Sequence, residues 1–333
     1  MTQRARSTSR KFGFVWPLAV LLLGGGCLGV APVIVKSIDL SPEASAFYRV
    51  ALSAPIFAIG TVLFALNIVR STEPVRRINT KVLCLLTALI FAADLILMHM
   101  AIRLSNVAIA TLLTNCAPFF VGILGLIGLA TRPELKFWVM LPIALGGCVL
   151  LIGAPQGADT QVLGYILALL AAFCYACYVV SVTELRKRGL STLPVMAVVT
   201  IVSTVFLLPF FAAQGFPLPE TIQTVLMLLV LVLIGQILGQ GLTTIALKDL
   251  PPSLSSLVLL VQPIVAGCLS WYFLSETLNG VQLLGMLVVL VAIAGAAFLP
   301  TRWLPNKASN LSVQGLTCSP IPDDVQSPES CGP

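Results

Sequence analysis

Residues 101–130 read AIRLSNVAIATLLTNCAPFFVGILGLIGLA, and residues 246–275 read ALKDLPPSLSSLVLLVQPIVAGCLSWYFLS. Aligned at a shift of 145 residues, the two segments share a central proline, Pro118 and Pro263, and an early basic residue, Arg103 and Lys248. Four further positions are identical: Ala101 with Ala246, Leu112 with Leu257, Gly122 with Gly267, and Leu124 with Leu269. A few identities in apolar sequence are weak evidence alone, so the place of the two segments in the chain decides what they mean.

The composition predicts an integral membrane protein made of helices. Of 333 residues, 58% are hydrophobic, 19 are Lys or Arg and 13 are Asp or Glu. A soluble domain is roughly 45–50% apolar and about 25% charged, so these few charges could not solubilise the apolar surface left outside a single core. Disorder needs the opposite bias, and a transmembrane β-barrel lacks long apolar runs. The composition excludes a soluble globular enzyme.

A membrane-spanning helix needs about 20 mostly apolar residues, and ten windows, called spans 1 to 10 below, meet that requirement. They are residues 14–35, 44–68, 82–102, 105–130, 137–154, 162–183, 191–213, 222–247, 253–275 and 279–299. Each is predicted to be a helix, because backbone groups in hydrocarbon must be paired within the chain. A basic head at 1–13 precedes them, and a polar tail at 301–333 that we predict to be disordered follows them.

The basic residues predict the orientation. Sixteen Lys and Arg residues fall on one side of the predicted membrane, and only Lys36 and Arg103 fall on the other. By the positive-inside rule both termini are cytoplasmic. The net charge of +6 is therefore an orientation signal that also suits anionic headgroups, and it does not indicate nucleic-acid binding.

The positions of segments 101–130 and 246–275 in the chain indicate an internal duplication. Each is the fourth span of a five-span half, residues 14–154 or 162–300, and an odd number of spans gives the halves opposite orientations. Inverted repeats of this kind give a transporter two related conformations. Because proline removes a helix hydrogen bond, Pro118 and Pro263 should each break or bend a helix near the midplane. Asn115 and Gln262 lie beside them, so these segments either line a binding site or are simple packing kinks.

Two charges lie inside the windows, Arg49 and Asp94. Because a charge at the helix centre costs roughly 2.5–3.5 kcal/mol, both should face protein or water. Asp94 could form a protonation site with His99 or contact a substrate amine or carboxylate. Five residues separate Asp94 and His99, roughly 140° around a helix, which weakens a direct relay. Alternatively Arg49 is neutralised by Asp94 or Glu276 and fixes helix packing.

Four more polar residues are candidates to line a cavity. Gln236 and Gln240 share a face of span 8, and Tyr175 and Tyr178 share a face near the middle of span 6. Glycines around the glutamines allow close backbone approach, so the amides need partners in another helix or in a ligand. The sequence shows no catalytic constellation, metal-ligand spacing or Walker motif, which predicts neither an enzyme nor a cofactor.

The run DLILMHMAIRLSNVAIATLLTNCAP at 94–118 and the tripeptide Phe47-Tyr48-Arg49 resemble the first half of bacterial EamA-type proteins of the drug/metabolite transporter superfamily. The stretches GQGL at 239–242, SLSSLVLLVQP at 253–263 and SETL at 275–278 resemble the second half. The resemblance covers about residues 14–300. It implies ten helices in two inverted repeats, a central cavity lined by parts of spans 1, 3, 4, 6, 8 and 9, and transport without ATP. The chain departs from the pattern at Thr131, which occupies the position of Glu276 in the first half.

These observations predict a secondary transporter of small polar or amphipathic metabolites such as amino acids, exporting them by alternating access around a midplane cavity. An uptake permease for a vitamin or another nutrient, or a membrane partner protein that transports nothing, are the alternatives. The expected partners are a small-molecule substrate and the lipid bilayer. Protons and a second copy of the chain, as a homodimer, are further candidates, and the sequence names neither the substrate nor the coupling ion.

Overall fold

The computed structural model describes residues 2–64, 79–104, 107–152, 162–273 and 279–299. Within these ranges the chain is all helix and short connections, with no β-strand. Nine helical stretches of this described part are long and apolar enough to cross a membrane. The predicted tail at 301–333 and the candidate residue Glu276 lie outside the described residues.

The helices follow the predicted windows to within about four residues, except that the first helix begins at Thr2 and so includes the segment predicted as a separate basic head at 1–13. Seven of the spans are single helices: Thr2–Ser37, Pro42–Phe64, Thr80–Leu104, Leu135–Ile152, Val162–Lys187, Thr192–Ala213 and Gly280–Phe298, which are spans 1, 2, 3, 5, 6, 7 and 10. Span 4 consists of Val107–Thr114 and Ala117–Leu126, and span 9 of Pro252–Val258 and Val261–Phe273. Span 8 begins as Ile222–Val230, continues as a π-helix over Leu231–Gln240 and ends as Gly241–Ala246.

Local sequence sets several helix ends. Span 10 begins with a capping box, in which the Gln282 N–H donates to Asn279 Oδ1 at 2.9 Å and the Asn279 N–H donates to Gln282 Oε1 at 3.0 Å. Span 6 ends where Gly189 adopts a φ of 87°, a left-handed conformation that glycine tolerates best. The N–H of Leu190 then bonds back to the carbonyl of Leu185. These caps pair backbone groups that the helices themselves leave free.

Spans 4 and 9 are interrupted at matching places, and the physical reason is the same in both. The breaks fall at residues 115–116 and 259–260, just before Pro118 and Pro263. Proline has no N–H to continue the helical ladder, and the chain tightens there: Cys116 N donates to Leu113 O, and Leu260 N to Leu257 O, three residues back. Each of these two spans therefore consists of two short helices, 8 and 10 residues long in span 4 and 7 and 13 residues long in span 9.

The helix packing repeats between the two halves. Span 3 packs on span 6, and the related span 8 packs on span 1. Span 4 packs on span 6, and span 9 correspondingly packs on span 1. Spans 2 and 7 pack on each other, as do spans 5 and 10. Exchanging the halves therefore maps these contacts onto themselves, which is the relation expected of two repeats around a pseudo-twofold axis.

Spans 5 and 10 cross at two glycines. A Cβ on Gly147 would lie 2.8 Å from Val289 Cγ2 and 2.9 Å from Val289 N, and a Cβ on Gly285 would lie 2.5 Å from Leu151 N. Neither backbone can withdraw without separating the helices. This close approach is how helices associate in lipid, where apolar burial gives no driving force.

Candidate functional site

The two charges that the sequence places inside the membrane lie near each other. Arg49 is two turns into span 2, and its guanidinium is the described charged group that acts on the carboxylate of Asp94 in span 3. Asp94 is 7% exposed and Arg49 is half-buried. Both alternatives drawn from the sequence, neutralisation of Arg49 and a substrate contact by Asp94, are compatible with this neighbourhood.

Arg49 and Asp94 do not close into a tight ion pair. Among the described residues no salt bridge of 4.0 Å or less joins them. The Nε of Arg49 is buried and has no hydrogen-bond partner in the part of the chain that the structure describes. A buried charged donor left unpaired is unfavourable by several kcal/mol at most sites. A polar ligand or a water that accepts a hydrogen bond from this Nε would therefore be stabilised here.

The second half of the chain contributes Tyr175 and Gln262 to the same neighbourhood. The Tyr175 hydroxyl on span 6 interacts with the charges of Asp94 and Arg49 and with the Gln262 side chain on span 9. Gln262 follows the break in span 9 by two residues. We call Arg49, Asp94, Tyr175 and Gln262 the central cluster. It combines two spans of each repeat, at the depth where the second repeat's helix is interrupted.

The central cluster is accessible as well as polar. Arg49, Tyr175 and Gln262 are all half-buried, although they lie inside the membrane-spanning stretches. The protein therefore leaves part of each of these side chains uncovered. The cluster offers a cation, an anion, a hydroxyl and an amide, a set that can bind a small polar molecule by charge and hydrogen bonds.

His99 lies apart from Asp94, toward the predicted outer end of span 3. Its Nδ1 contacts the carbonyl of Leu95 in its own helix, and the ring also interacts with the Pro42 backbone and with Glu43 at the start of span 2. Arg49 also acts on the ring electrostatically. The structure therefore connects His99 to the beginning of span 2.

Tyr178 is sealed inside helix packing. It is 1% exposed, and its ring lies 4.7 Å from that of Phe91 and 6.0 Å from that of Tyr175. Its hydroxyl reaches the sulfur of Met196 on span 7 at 4.0 Å, and Thr244 Oγ1 of span 8 donates to the same sulfur at 3.2 Å. Tyr178 thus joins spans 3, 6, 7 and 8, while Tyr175, three residues away, belongs to the accessible cluster.

Gln236 and Gln240 lie in the π-helical part of span 8, at 0% and 4% exposure. Both amide atoms of Gln236 and the Oε1 of Gln240 have no hydrogen-bond partner among the described residues. An amide buried in an apolar setting without a partner is unfavourable, and π-helical turns occur frequently at functional sites. These two side chains are sealed in this conformation, unlike the central cluster.

Asn115 occupies the break in span 4. Its Nδ2 is buried without a described partner, and the neighbouring Cys116 thiol reaches the carbonyl of Leu112 at 3.8 Å. Pro118 follows the break as an early residue of the next helix, as Pro263 does in span 9. The two interruptions therefore each present a carboxamide, Asn115 in one repeat and Gln262 in the other.

The sequence pattern of the EamA-like transporter family matches residues 15–153 and again residues 162–298. The chain belongs to this family. It is accordingly an all-α, multi-pass membrane protein built from two repeats, and its family consists of transporters.

Two relatives add detail to the EamA-like assignment. The uncharacterized transporter YwfM of Bacillus subtilis is 25% identical over 234 residues, which are 69% of this chain and 78% of YwfM. The threonine/homoserine exporter RhtA of Salmonella typhimurium is 25% identical over 201 residues, 60% of this chain and 65% of RhtA. A crystal structure has a TM-score of 0.73 at 15% identity, covering 87% of this chain and 100% of that one, and it shows the fold alone.

Reasoning from the sequence missed three participants of this EamA-like structure. Glu43 was excluded because the window of span 2 was set to begin at residue 44, whereas the helix begins at Pro42. The signal available in the sequence was an acidic residue one position outside an apolar window. Thr244 and Met196 gave no such signal, because an ordinary threonine and methionine become a polar junction only when spans 7 and 8 meet.

Proposed function

We propose that the protein is a secondary transporter that exports small polar or amphipathic metabolites of the amino-acid class. The observation that supports this most is the central cluster, in which Arg49 and Asp94 of the first repeat meet Tyr175 and Gln262 of the second. A ligand held between two inverted repeats can be exposed to either side in turn as they rock against each other. RhtA, whose name describes an amino-acid exporter, supports the same substrate class and direction.

The proposal includes an orientation. Both termini are cytoplasmic in a bacterial inner membrane, since basic residues are concentrated on that side. It follows that Arg186 and Arg132 lie at the cytoplasmic ends of their helices, and that His99 and Glu43 lie near the outer face. Fusions of a reporter active on one side of the membrane only, placed after residue 155 and after residue 189, would test this. Activity on the same side at both positions would contradict it.

Transport itself is tested with the purified protein in liposomes. Vesicles loaded with radiolabelled amino acids should release them with saturable kinetics, faster than protein-free vesicles. A cell assay then gives direction: overexpression should lower the internal amino-acid pool and raise the external one. Accumulation inside the cells would instead support uptake of a nutrient, and absence of any saturable flux would support a membrane partner protein without transport.

Asp94 is the residue we propose as essential to the cycle. Asp94→Asn keeps the shape of the side chain and removes the charge, so insertion should be unchanged while flux falls at least about tenfold. If Asp94 carries a coupled proton, the wild-type rate should depend on pH between about 5 and 8 more steeply than the variant rate. Normal flux of the variant across that range would remove Asp94 from the mechanism.

A further inference from the structure

We infer that the central cluster selects zwitterions, with Arg49 binding the carboxylate and Asp94 binding the ammonium group of one substrate molecule. The inference rests on the proposed transport function and names the substrate class of its site. It assigns to Arg49 a substrate contact, whereas the sequence favours a structural role in which Asp94 or Glu276 neutralises Arg49.

The first support is the unclosed pair. Arg49 and Asp94 act on each other electrostatically, but no salt bridge of 4.0 Å or less joins them in the described chain. Two opposite charges at this depth attract strongly, because the surroundings screen them weakly. A pair that served only to neutralise itself would gain by closing. A molecule that carries the complementary charges would satisfy both groups at once.

The second support is the unpaired Nε of Arg49. It is buried and has no hydrogen-bond partner among the described residues. A guanidinium binds carboxylates with two parallel hydrogen bonds, and Nε together with one terminal nitrogen forms such a donor edge. A substrate carboxylate would supply the acceptor that the protein does not.

The third support is charge balance. A zwitterion adds no net charge to the site, whereas a simple anion or a simple cation would leave one of the two protein charges without a partner inside the membrane. Tyr175 and Gln262 are neutral and hydrogen-bond with either group, so they do not change this balance. The site should therefore prefer an amino acid over the amine or the acid derived from it.

Two sets of three compounds test the preference. The first is L-threonine, 1-aminopropan-2-ol, which lacks the carboxylate, and 3-hydroxybutyrate, which lacks the ammonium group. The second is L-leucine, 3-methylbutylamine and 4-methylpentanoate. Binding is read as thermal stabilisation of the full-length protein in detergent, and transport as competition against the radiolabelled amino acid in liposomes. In the wild type each amino acid should be at least about tenfold more potent than either singly charged analogue, as expected for loss of a charged hydrogen bond.

Variants of Arg49 and Asp94 test which residue binds the carboxylate and which binds the ammonium group of the substrate. Asp94→Asn should lower the potency of the amino acid about tenfold or more and leave that of the acid analogue nearly unchanged, so the preference between them collapses. Arg49→Gln should likewise lower the potency of the amino acid about tenfold or more, and it should leave that of the amine analogue nearly unchanged. Arg49→Lys keeps the charge with fewer donors, and it should retain the zwitterion preference at reduced affinity, which provides a test if Arg49→Gln does not fold. Glu134→Gln and Arg132→Gln, exposed charges near the end of span 4, are the matched controls and should change no ratio.

The outcomes separate the two proposals. Saturable amino-acid flux with preference ratios that stay the same in both variants would overturn the zwitterion site and leave the transport function standing. Stabilisation that follows the predicted ratios without any flux would support the site and contradict transport. Neither flux nor stabilisation by any of the six compounds would contradict both.

Discussion

Arg186 Nε donates to the carbonyl oxygen of Thr244 at 3.2 Å, and this bond ties the end of span 6 to the end of span 8. The same guanidinium donates to the carbonyl of Leu190 and interacts with Asp249 in the connection to span 9. At the other end of the spans, His99 links span 3 to the start of span 2. The two polar links therefore lie at opposite ends of the helices and join different pairs of spans.

The link predicts a stability effect for Arg186→Gln. Losing charged hydrogen bonds to two carbonyls should lower the free energy of unfolding by about 1.5–3 kcal/mol, seen as a lower thermal midpoint in detergent. Lys187→Gln is the control, because Lys187 is the adjacent exposed cation and should shift the midpoint little. Equal shifts in the two variants would mean that Arg186 contributes only its charge.

The crossing of spans 5 and 10 predicts that two adjacent glycines differ. Gly147→Ala should place a methyl group 2.8 Å from Val289 Cγ2 and 2.9 Å from Val289 N. It should destabilise the protein by about 1–3 kcal/mol or prevent its expression. Gly146→Ala meets nothing within 4 Å and should be neutral or slightly stabilising, since alanine favours helix. Similar melting of the two variants would argue against the crossing.

The fold follows from the sequence because hydrocarbon thickness dictates the length of each apolar run. Spans 6 and 8, predicted at 162–183 and 222–247, are Val162–Lys187 and Ile222–Ala246. Periodicity and run length do not reveal the π-helix over Leu231–Gln240, because its extra residue per turn leaves the composition unchanged.

The site was less predictable, because lateral packing decides which polar side chains border open space. Tyr175 and Tyr178 share a helix face in the sequence, yet one is half-buried and the other is sealed against Phe91 and Met196. Likewise, the positions of Arg49 and Asp94 along their spans predict only that they lie at a similar depth in the membrane. Only the packing of spans 2 and 3 decides whether the pair closes.

Gln236 is predicted to be dispensable for folding and important for flux. Both of its amide atoms are unpartnered in the described chain, so Gln236→Leu removes an unfavourable buried amide and should leave stability unchanged or increase it. If the amide finds its partner in another conformation of the cycle, flux should fall about tenfold while the thermal midpoint holds. Wild-type flux with a higher midpoint would instead mean that Gln236 has no part in transport.

Pro118→Ala and Pro263→Ala test the two helix breaks. Alanine restores the missing N–H, so each helix gains a hydrogen bond and should become more continuous. Stability should hold or rise, while the transport rate should fall about tenfold if the interruptions let the repeats rearrange. Comparing the variants also tests the repeat, because related breaks should give similar losses. Full transport activity in both variants would mean that the prolines only bend the helices for packing.

The two tyrosines of span 6 give the sharpest comparison between an accessible and a sealed group. Tyr178→Phe loses a hydroxyl that contacts Met196 and should lower the free energy of unfolding by about 0.5–1.5 kcal/mol with little change in flux. Tyr175→Phe loses the hydroxyl that interacts with Gln262 and with both charges of the central cluster. It should lower substrate affinity several-fold at nearly unchanged stability. Both variants remove one oxygen from the same helix, so flux and melting measured together assign each hydroxyl to binding or to packing. The reverse pattern, with flux sensitive to Tyr178 and stability to Tyr175, would mean that the substrate path runs on the other side of span 6.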